Sequence, residues 1–78
     1  MTGFECITID PNIMGGKACI RGMRITVSLI LNLIANEMSK DDILKEYPVL
    51  EREDIKQSLQ YAAWLADERS MGIGTKIA

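Results

Sequence analysis

The sequence predicts a small α+β domain that is mostly α-helical, with short β-strands near its N-terminus. Its 78 residues accommodate one domain. The first third contains short β-favouring runs separated by turn residues, whereas apolar residues recur at helical spacing from Thr26 onward. We therefore expect a single domain over residues 1–69, followed by a flexible C-terminal tail over residues 70–78, which lacks periodicity.

The N-terminal third is predicted to form three short strands. Gly15, Gly16 and Gly22 favour turns between them, as does the pair Asp10–Pro11. We place the strands at residues 6–9, 18–21 and 24–26.

The first predicted helix covers residues 27–36 and begins after Thr26, a favourable N-cap residue. Its apolar side chains cover more than half of its circumference, which is broader than the single stripe of a surface helix. The helix is therefore either enclosed within the domain or covered by a second subunit. Because a chain this short builds a marginal core, we expect a homodimer.

The second predicted helix covers residues 40–46. Ser39 is its N-cap, and Asp42 occupies the third helical position, as in a capping box. Pro48 disfavours helical geometry at the residue before it, so the helix is expected to end there.

The third predicted helix covers residues 51–68 and follows a turn over residues 47–50. Its core-facing stripe is expected to comprise Ile55, Leu59, Ala62 and Ala66. A short helix, a tight turn and a longer helix match the spacing of a helix-turn-helix. Two helices joined by a short turn are also common in small helical domains, so the spacing alone leaves both interpretations open.

The face of the third helix opposite this stripe carries side chains suited to reading DNA bases. They are Arg52, Lys56, Gln57 and Gln60. Lys, Arg and Gln hydrogen-bond to guanine and adenine edges in the major groove, and the second helix of a helix-turn-helix reaches those edges. The alternative is an ordinary solvated helix face.

Three further basic residues, Lys17, Arg21 and Arg24, lie in the glycine-containing stretch before the first helix. They are expected either to contact a DNA backbone or to pair with acids of the domain. The net charge of −2 argues against a surface that is basic throughout. Any DNA-binding surface must therefore be local, and its affinity should depend steeply on salt.

An apolar group near the end of the third helix is expected to lie away from the core stripe. It consists of Tyr61, Trp64 and Leu65. Exposed apolar patches of this kind mark interfaces, so we expect a partner or a second subunit to cover it. The alternative is that residues 6–27 fold over the group and bury it.

The residue types present argue against several classes of function. The chain has no His, and its two cysteines are not arranged as a C-x-x-C pair, so we expect neither a metal nor another cofactor. No nucleophile–base pair is evident, which argues against an enzyme. No apolar run is long enough to span a membrane, and no targeting pattern is present, so we expect a cytoplasmic protein without membrane contact.

Three stretches of the sequence resemble the domain-of-unknown-function 433 family. They are I-x-x-D-P-N-I-x-G-G-K-x-C-I-R-G-x-R-I-T-V at residues 7–27, M-S-x-D-D-I-L-x-x-Y-P-x-L at 38–50 and E-D-I-x-x-S-L-x-Y-A at 53–62. The resemblance implies a homeodomain-like helix-turn-helix preceded by small strands. Before the third helix, members commonly carry Thr or Ser where this chain has Glu51.

The resemblance also implies a function. Many members look like antitoxins that silence a PIN-like ribonuclease toxin and repress the operon they share with it. We therefore expect a DNA-binding antitoxin or operon autoregulator. The alternative is a protein-interaction module that binds a partner, such as a PIN-like ribonuclease, without binding DNA.

Overall fold

The computed structural model describes residues 3–70, with side chains as far as Asp67. Two short antiparallel strands precede three helices, which confirms the predicted α+β, mostly helical fold. The elements are β1 Ile7–Ile9, β2 Ala18–Ile20, α1 Val27–Ala35, α2 Lys40–Glu46 and α3 Arg52–Ser70. The last helix therefore includes the first residue of the predicted tail, and the other tail residues, 71–78, lie outside the described part of the chain. Within residues 3–70, no helix is long and apolar enough to cross a membrane.

The strands form a hairpin in which Ile7 is paired with Ile20. The third predicted strand, at residues 24–26, was wrong, because only a single bridge between Cys19 and Thr26 remains of it. Thr26 already serves the following helix: its side-chain oxygen accepts a hydrogen bond of 3.0 Å from the Leu29 amide. The chain thus turns into α1 before a strand can extend.

The predicted start signals of the first two helices are confirmed. Thr26 caps α1, and Ser39 caps α2 by accepting a 3.1 Å hydrogen bond from the Asp42 amide. A turn then connects α2 to α3, with a hydrogen bond of 2.9 Å from the Leu50 amide to the Tyr47 carbonyl. A short helix, a tight turn and a longer helix therefore follow one another as predicted.

One isoleucine from each of four elements meets in the centre of the domain. Ile20 of β2, Ile30 of α1, Ile43 of α2 and Ile55 of α3 are all 0% exposed. Burying such a side chain contributes about 1.5–3 kcal/mol to folding. These contacts fix the α2–α3 pair against the hairpin and α1.

The buried face of α3 differs from the predicted stripe. Leu59 is 36% exposed and Ala66 is also exposed, whereas Asp54, Ser58 and Tyr61 are buried. At about 100° per residue, the helix is rotated by roughly a quarter-turn from the orientation that apolar periodicity predicted. Polar residues occupy core positions because their hydrogen bonds are satisfied there: the Ser58 hydroxyl donates to the Asp54 carbonyl at 2.8 Å.

Candidate functional site

A paired arginine and aspartate join the hairpin to the start of α3. The Arg21 guanidinium donates to both carboxylate oxygens of Asp54, at 3.1 and 2.9 Å, and to the Val49 carbonyl at 2.7 Å. Arg21 lies in the turn after β2 and has a positive φ of 45°, a backbone conformation that non-glycine residues seldom adopt. Of the two roles expected for this arginine, the structure contains the pairing with an acid of the domain.

Asp54 also caps α3. Its carboxylate accepts a 2.8 Å hydrogen bond from the Glu51 amide, which is the reciprocal half of a capping box. Burial by itself raises the pKa of Asp54, but the hydrogen bonds from Arg21 and from the Glu51 amide outweigh it and hold the pKa below its ordinary value. The backbone amide at the start of α3 is therefore satisfied by Asp54, whichever side chain occupies the position of Glu51.

Gln57, predicted to read bases, instead lies inside the domain at 7% exposure. Its side-chain oxygen accepts from the Cys6 amide at 2.8 Å, and its amide nitrogen donates to Glu53 at 3.0 Å. The prediction that it faces solvent was wrong, because the predicted wheel placed the wrong side of α3 against the core.

Burial, reinforced by the hydrogen bond with Asp54, raises the pKa of the nearby Cys6 thiol to about 11.

Three of the predicted base-reading residues share the solvent side of α3. Arg52, Lys56 and Gln60 are exposed and lie four residues apart, so they follow one another along one side of the helix. We call these three residues the outer stripe. Arg52 forms an ion pair with Asp41 of α2, and exposed Leu59 flanks the stripe.

The other two residues predicted to contact phosphate are also exposed: Lys17 immediately precedes β2 in the sequence, and Arg24 follows it by four residues. Lys17 lines a groove of about 580 Å³ between α1, α3 and β2. The groove is lined by Lys17, Ala18, Thr26, Val27, Ser28, Leu31, Tyr61, Ala62, Leu65 and Ala66. Apart from exposed Lys17, the groove is formed by uncharged and mainly apolar side chains.

The apolar group that was predicted to form an interface, Tyr61, Trp64 and Leu65, is partly buried and partly exposed. Tyr61 is 9% exposed and belongs to the core, so its predicted position away from the core was wrong. Trp64 is 43% exposed, and Leu65 is half-buried. Phe4 covers part of this surface, with its ring centroid 5.5 Å from that of Tyr61 and 5.8 Å from that of Trp64.

Phe4 and Asp54 are the two residues that sequence reasoning missed. Phe4 is the chain's single phenylalanine and precedes the first strand, where no periodic pattern indicated a role. Asp54 lies three residues after Glu51, and this capping-box spacing was the available signal. Among the described residues, no group of three or more His, Cys, Asp or Glu side chains could hold a metal ion.

Comparison with known proteins identifies the family. The profile described as "Protein of unknown function (DUF433)" matches residues 7–62. The chain is similar to the crystal structure of a DUF433 member protein from Anabaena variabilis, with a TM-score of 0.75 and 28% sequence identity. The match covers 81% of this chain and 62% of that one, so the chain spans less than two thirds of that protein's length. No protein with a curated description matches. Because the profile spans more than half of the sequence, the chain belongs to the DUF433 family of proteins of unknown function.

Proposed function

We propose that this protein is a DNA-binding regulator that inserts the outer stripe of α3 into the major groove. The observation that supports this proposal is the exposure of Arg52, Lys56 and Gln60 along one side of the second helix of a helix-turn-helix pair. Arg and Lys are the side chains that pair with guanine, and Gln pairs with adenine. Their position in the first half of α3 is the part of a recognition helix that reaches base edges.

The charge around the stripe is less negative than the sequence suggests. Asp54 is buried and paired with Arg21, which offsets its negative charge, whereas Glu53 remains exposed. Arg52 is paired with Asp41, but both side chains are largely exposed. Exposed pairs contribute little free energy, so a phosphate or a base can replace Asp41 at small cost.

The family resemblance supports a more specific form of the proposal. As an antitoxin or operon autoregulator, the protein would repress its own operon in the cytoplasm and bind a PIN-like ribonuclease. A homodimer would present two outer stripes to half-sites about 34 Å apart, one turn of the DNA helix.

An electrophoretic mobility assay with the protein's own promoter tests DNA binding. Gln60→Ala should weaken binding to the promoter by about 1–3 kcal/mol and change binding to random DNA little. Lys56→Ala should weaken binding more than Lys45→Ala, a control that removes the same charge from the exposed side of α2. A wild-type protein that gives no retardation even at low salt would exclude the proposal.

The second candidate is a protein-interaction module that does not bind DNA. The exposed part of Trp64, beside half-buried Phe4, supports this candidate. On this alternative, Trp64→Ala should weaken binding to a partner such as a PIN-like ribonuclease. In that case neither the wild type nor the outer-stripe variants should retard promoter DNA.

A further inference from the structure

The groove between α1 and α3 has no partner within the described chain. Tyr61 and Val27 are buried beside it, whereas Leu31 and Leu65 remain only half-buried. On α3, the short side chains of Ala62 and Ala66 also line it. An apolar concavity left open to water is unfavourable by roughly 25 cal/mol for each Å² that a partner could cover.

We propose that this groove binds an amphipathic helix of a partner protein that carries an acidic residue beside its apolar stripe. A groove flanked by two helices accepts a projecting row of side chains, which is how helix-in-groove recognition works. Ala62 and Ala66 are four residues apart on α3, so their small side chains form one continuous low surface along the groove. A row of leucines on the partner would fill it.

A second copy of the chain does not fit the groove through the same surface. Two concave surfaces that face each other leave a void, and the atoms lining a void lose their packing contacts. The occupant must therefore present a convex row of side chains.

The exposed charge that lines the groove specifies the partner's polar residue. Lys17 is the charged residue that lines the groove, and among the described residues its side-chain ammonium group forms neither an ion pair nor a hydrogen bond. Thr26 is not available for recognition in the same way, because its hydroxyl oxygen already accepts from the Leu29 amide. A carboxylate on the partner would complement the Lys17 ammonium group.

This inference does not rest on DNA binding. The outer stripe occupies the first half of α3, whereas the groove involves Tyr61, Ala62, Leu65 and Ala66 in its second half, toward α1. Since successive residues are about 100° apart around a helix, the stripe and the groove also lie on different sides of α3, so both can be occupied together.

Two synthetic helical peptides test the proposal. They share the same leucine spacing, and one carries glutamates beside the leucines where the other carries lysines. Titration followed by NMR should show that the glutamate peptide binds and shifts the methyl signals of Leu31, Ala62 and Leu65. Lys17→Glu should weaken the binding of this peptide by about two- to five-fold and strengthen that of the lysine peptide, as expected for a pair at an exposed edge.

Groove-filling variants provide the matched comparison. Ala62→Leu and Ala66→Leu should abolish peptide binding, whereas Ala63→Leu, which adds the same atoms to an exposed position, should not. Circular dichroism checks that each variant folds; if Ala62→Leu does not, Ala66→Leu at an exposed position decides the question.

The proposal fails if neither peptide binds, if the shifts fall outside the groove, or if Lys17→Glu leaves the preference unchanged. It also fails if the wild-type protein self-associates and both groove-filling variants, but not Ala63→Leu, abolish that association in sedimentation experiments. In that case the groove holds a second copy of the chain.

Discussion

The side-chain amide of Gln57 satisfies the backbone of Cys6. Its oxygen accepts a 2.8 Å hydrogen bond from the Cys6 amide, across 51 residues of sequence. The same side chain donates to Glu53 on the previous turn of α3. Gln57 therefore fixes the position of the N-terminal segment on α3, rather than offering a hydrogen bond to an external ligand.

Replacing Gln57 should consequently affect stability and not recognition. Gln57→Ala leaves the Cys6 amide without its acceptor and should lower the free energy of unfolding by about 1–3 kcal/mol. Urea denaturation measures this loss. Under native conditions the folded variant should bind promoter DNA like the wild type, in contrast to Gln60→Ala. A loss of DNA affinity with unchanged stability would contradict the position described for Gln57.

Removing the paired carboxylate should destabilise the start of α3. Asp54→Ala leaves the Glu51 amide uncapped and the Arg21 guanidinium without its acceptor, and should cost about 1–3 kcal/mol of unfolding free energy. Arg21→Ala should lower the urea midpoint as well, because it leaves a buried carboxylate unpaired. Arg24→Ala is the control, since it removes an exposed arginine of the same loop. Equal midpoints for Arg21→Ala and Arg24→Ala would show that the pair is not stabilising.

The stability contributed by Asp54 should depend on pH. Its pKa is lower in the folded chain than in the unfolded chain, so the stabilisation is complete above the unfolded pKa of about 3.9. It is lost as the pH falls from that value through the folded pKa, because the carboxylate must then be protonated in both states. Urea midpoints measured from neutral to acidic pH should fall more steeply for the wild type than for Asp54→Asn. Parallel curves for the two proteins would contradict this assignment.

The aromatic contacts on α3 predict different costs for three substitutions. Tyr61→Ala should cost about 3–5 kcal/mol of folding free energy because the ring lies in the core. Trp64→Ala should cost clearly less, since the ring is 43% exposed. Phe4→Ala should shift the fluorescence of Trp64, the single tryptophan, to longer wavelength by exposing it further to water. An unchanged spectrum would mean that Phe4 does not cover Trp64 in solution.

The elements that the sequence predicted well are those with local signals. Thr26 and Ser39 cap helices through their own side chains, and Pro48 ends α2 where its ring restricts the chain. These effects act over a few residues and can be recognised without tertiary structure.

The predictions that failed concern which side of α3 is buried. Apolar periodicity favoured Leu59 over Ser58 and Asp54, but both polar residues are buried because their polar groups are satisfied. Asp54 pairs with Arg21, 33 residues away, and the Ser58 hydroxyl donates to the Asp54 carbonyl on the previous turn. Arg21, which supplies the partner for Asp54, was an equally plausible DNA contact from the sequence. Outer-stripe residues such as Lys56 remained on the solvent side under either orientation, so that part of the candidate site did not depend on the error.

The ion pair between Arg21 and Asp54 also affects the order in which the fold forms. Its two residues are 33 positions apart, and closing a flexible loop of that length costs about 3 kcal/mol in chain entropy. Arg21 and the Glu51 amide donate to the same carboxylate oxygen of Asp54, so the cap of α3 is supported by a non-local contact, unlike those of α1 and α2. We expect the first turn of α3 to become structured after the folding transition state, so that Arg21→Ala accelerates unfolding more than it slows folding in stopped-flow measurements. The first turn of α3 would then form only after the hairpin has packed against the helix, although α3 is the longest helix of the domain.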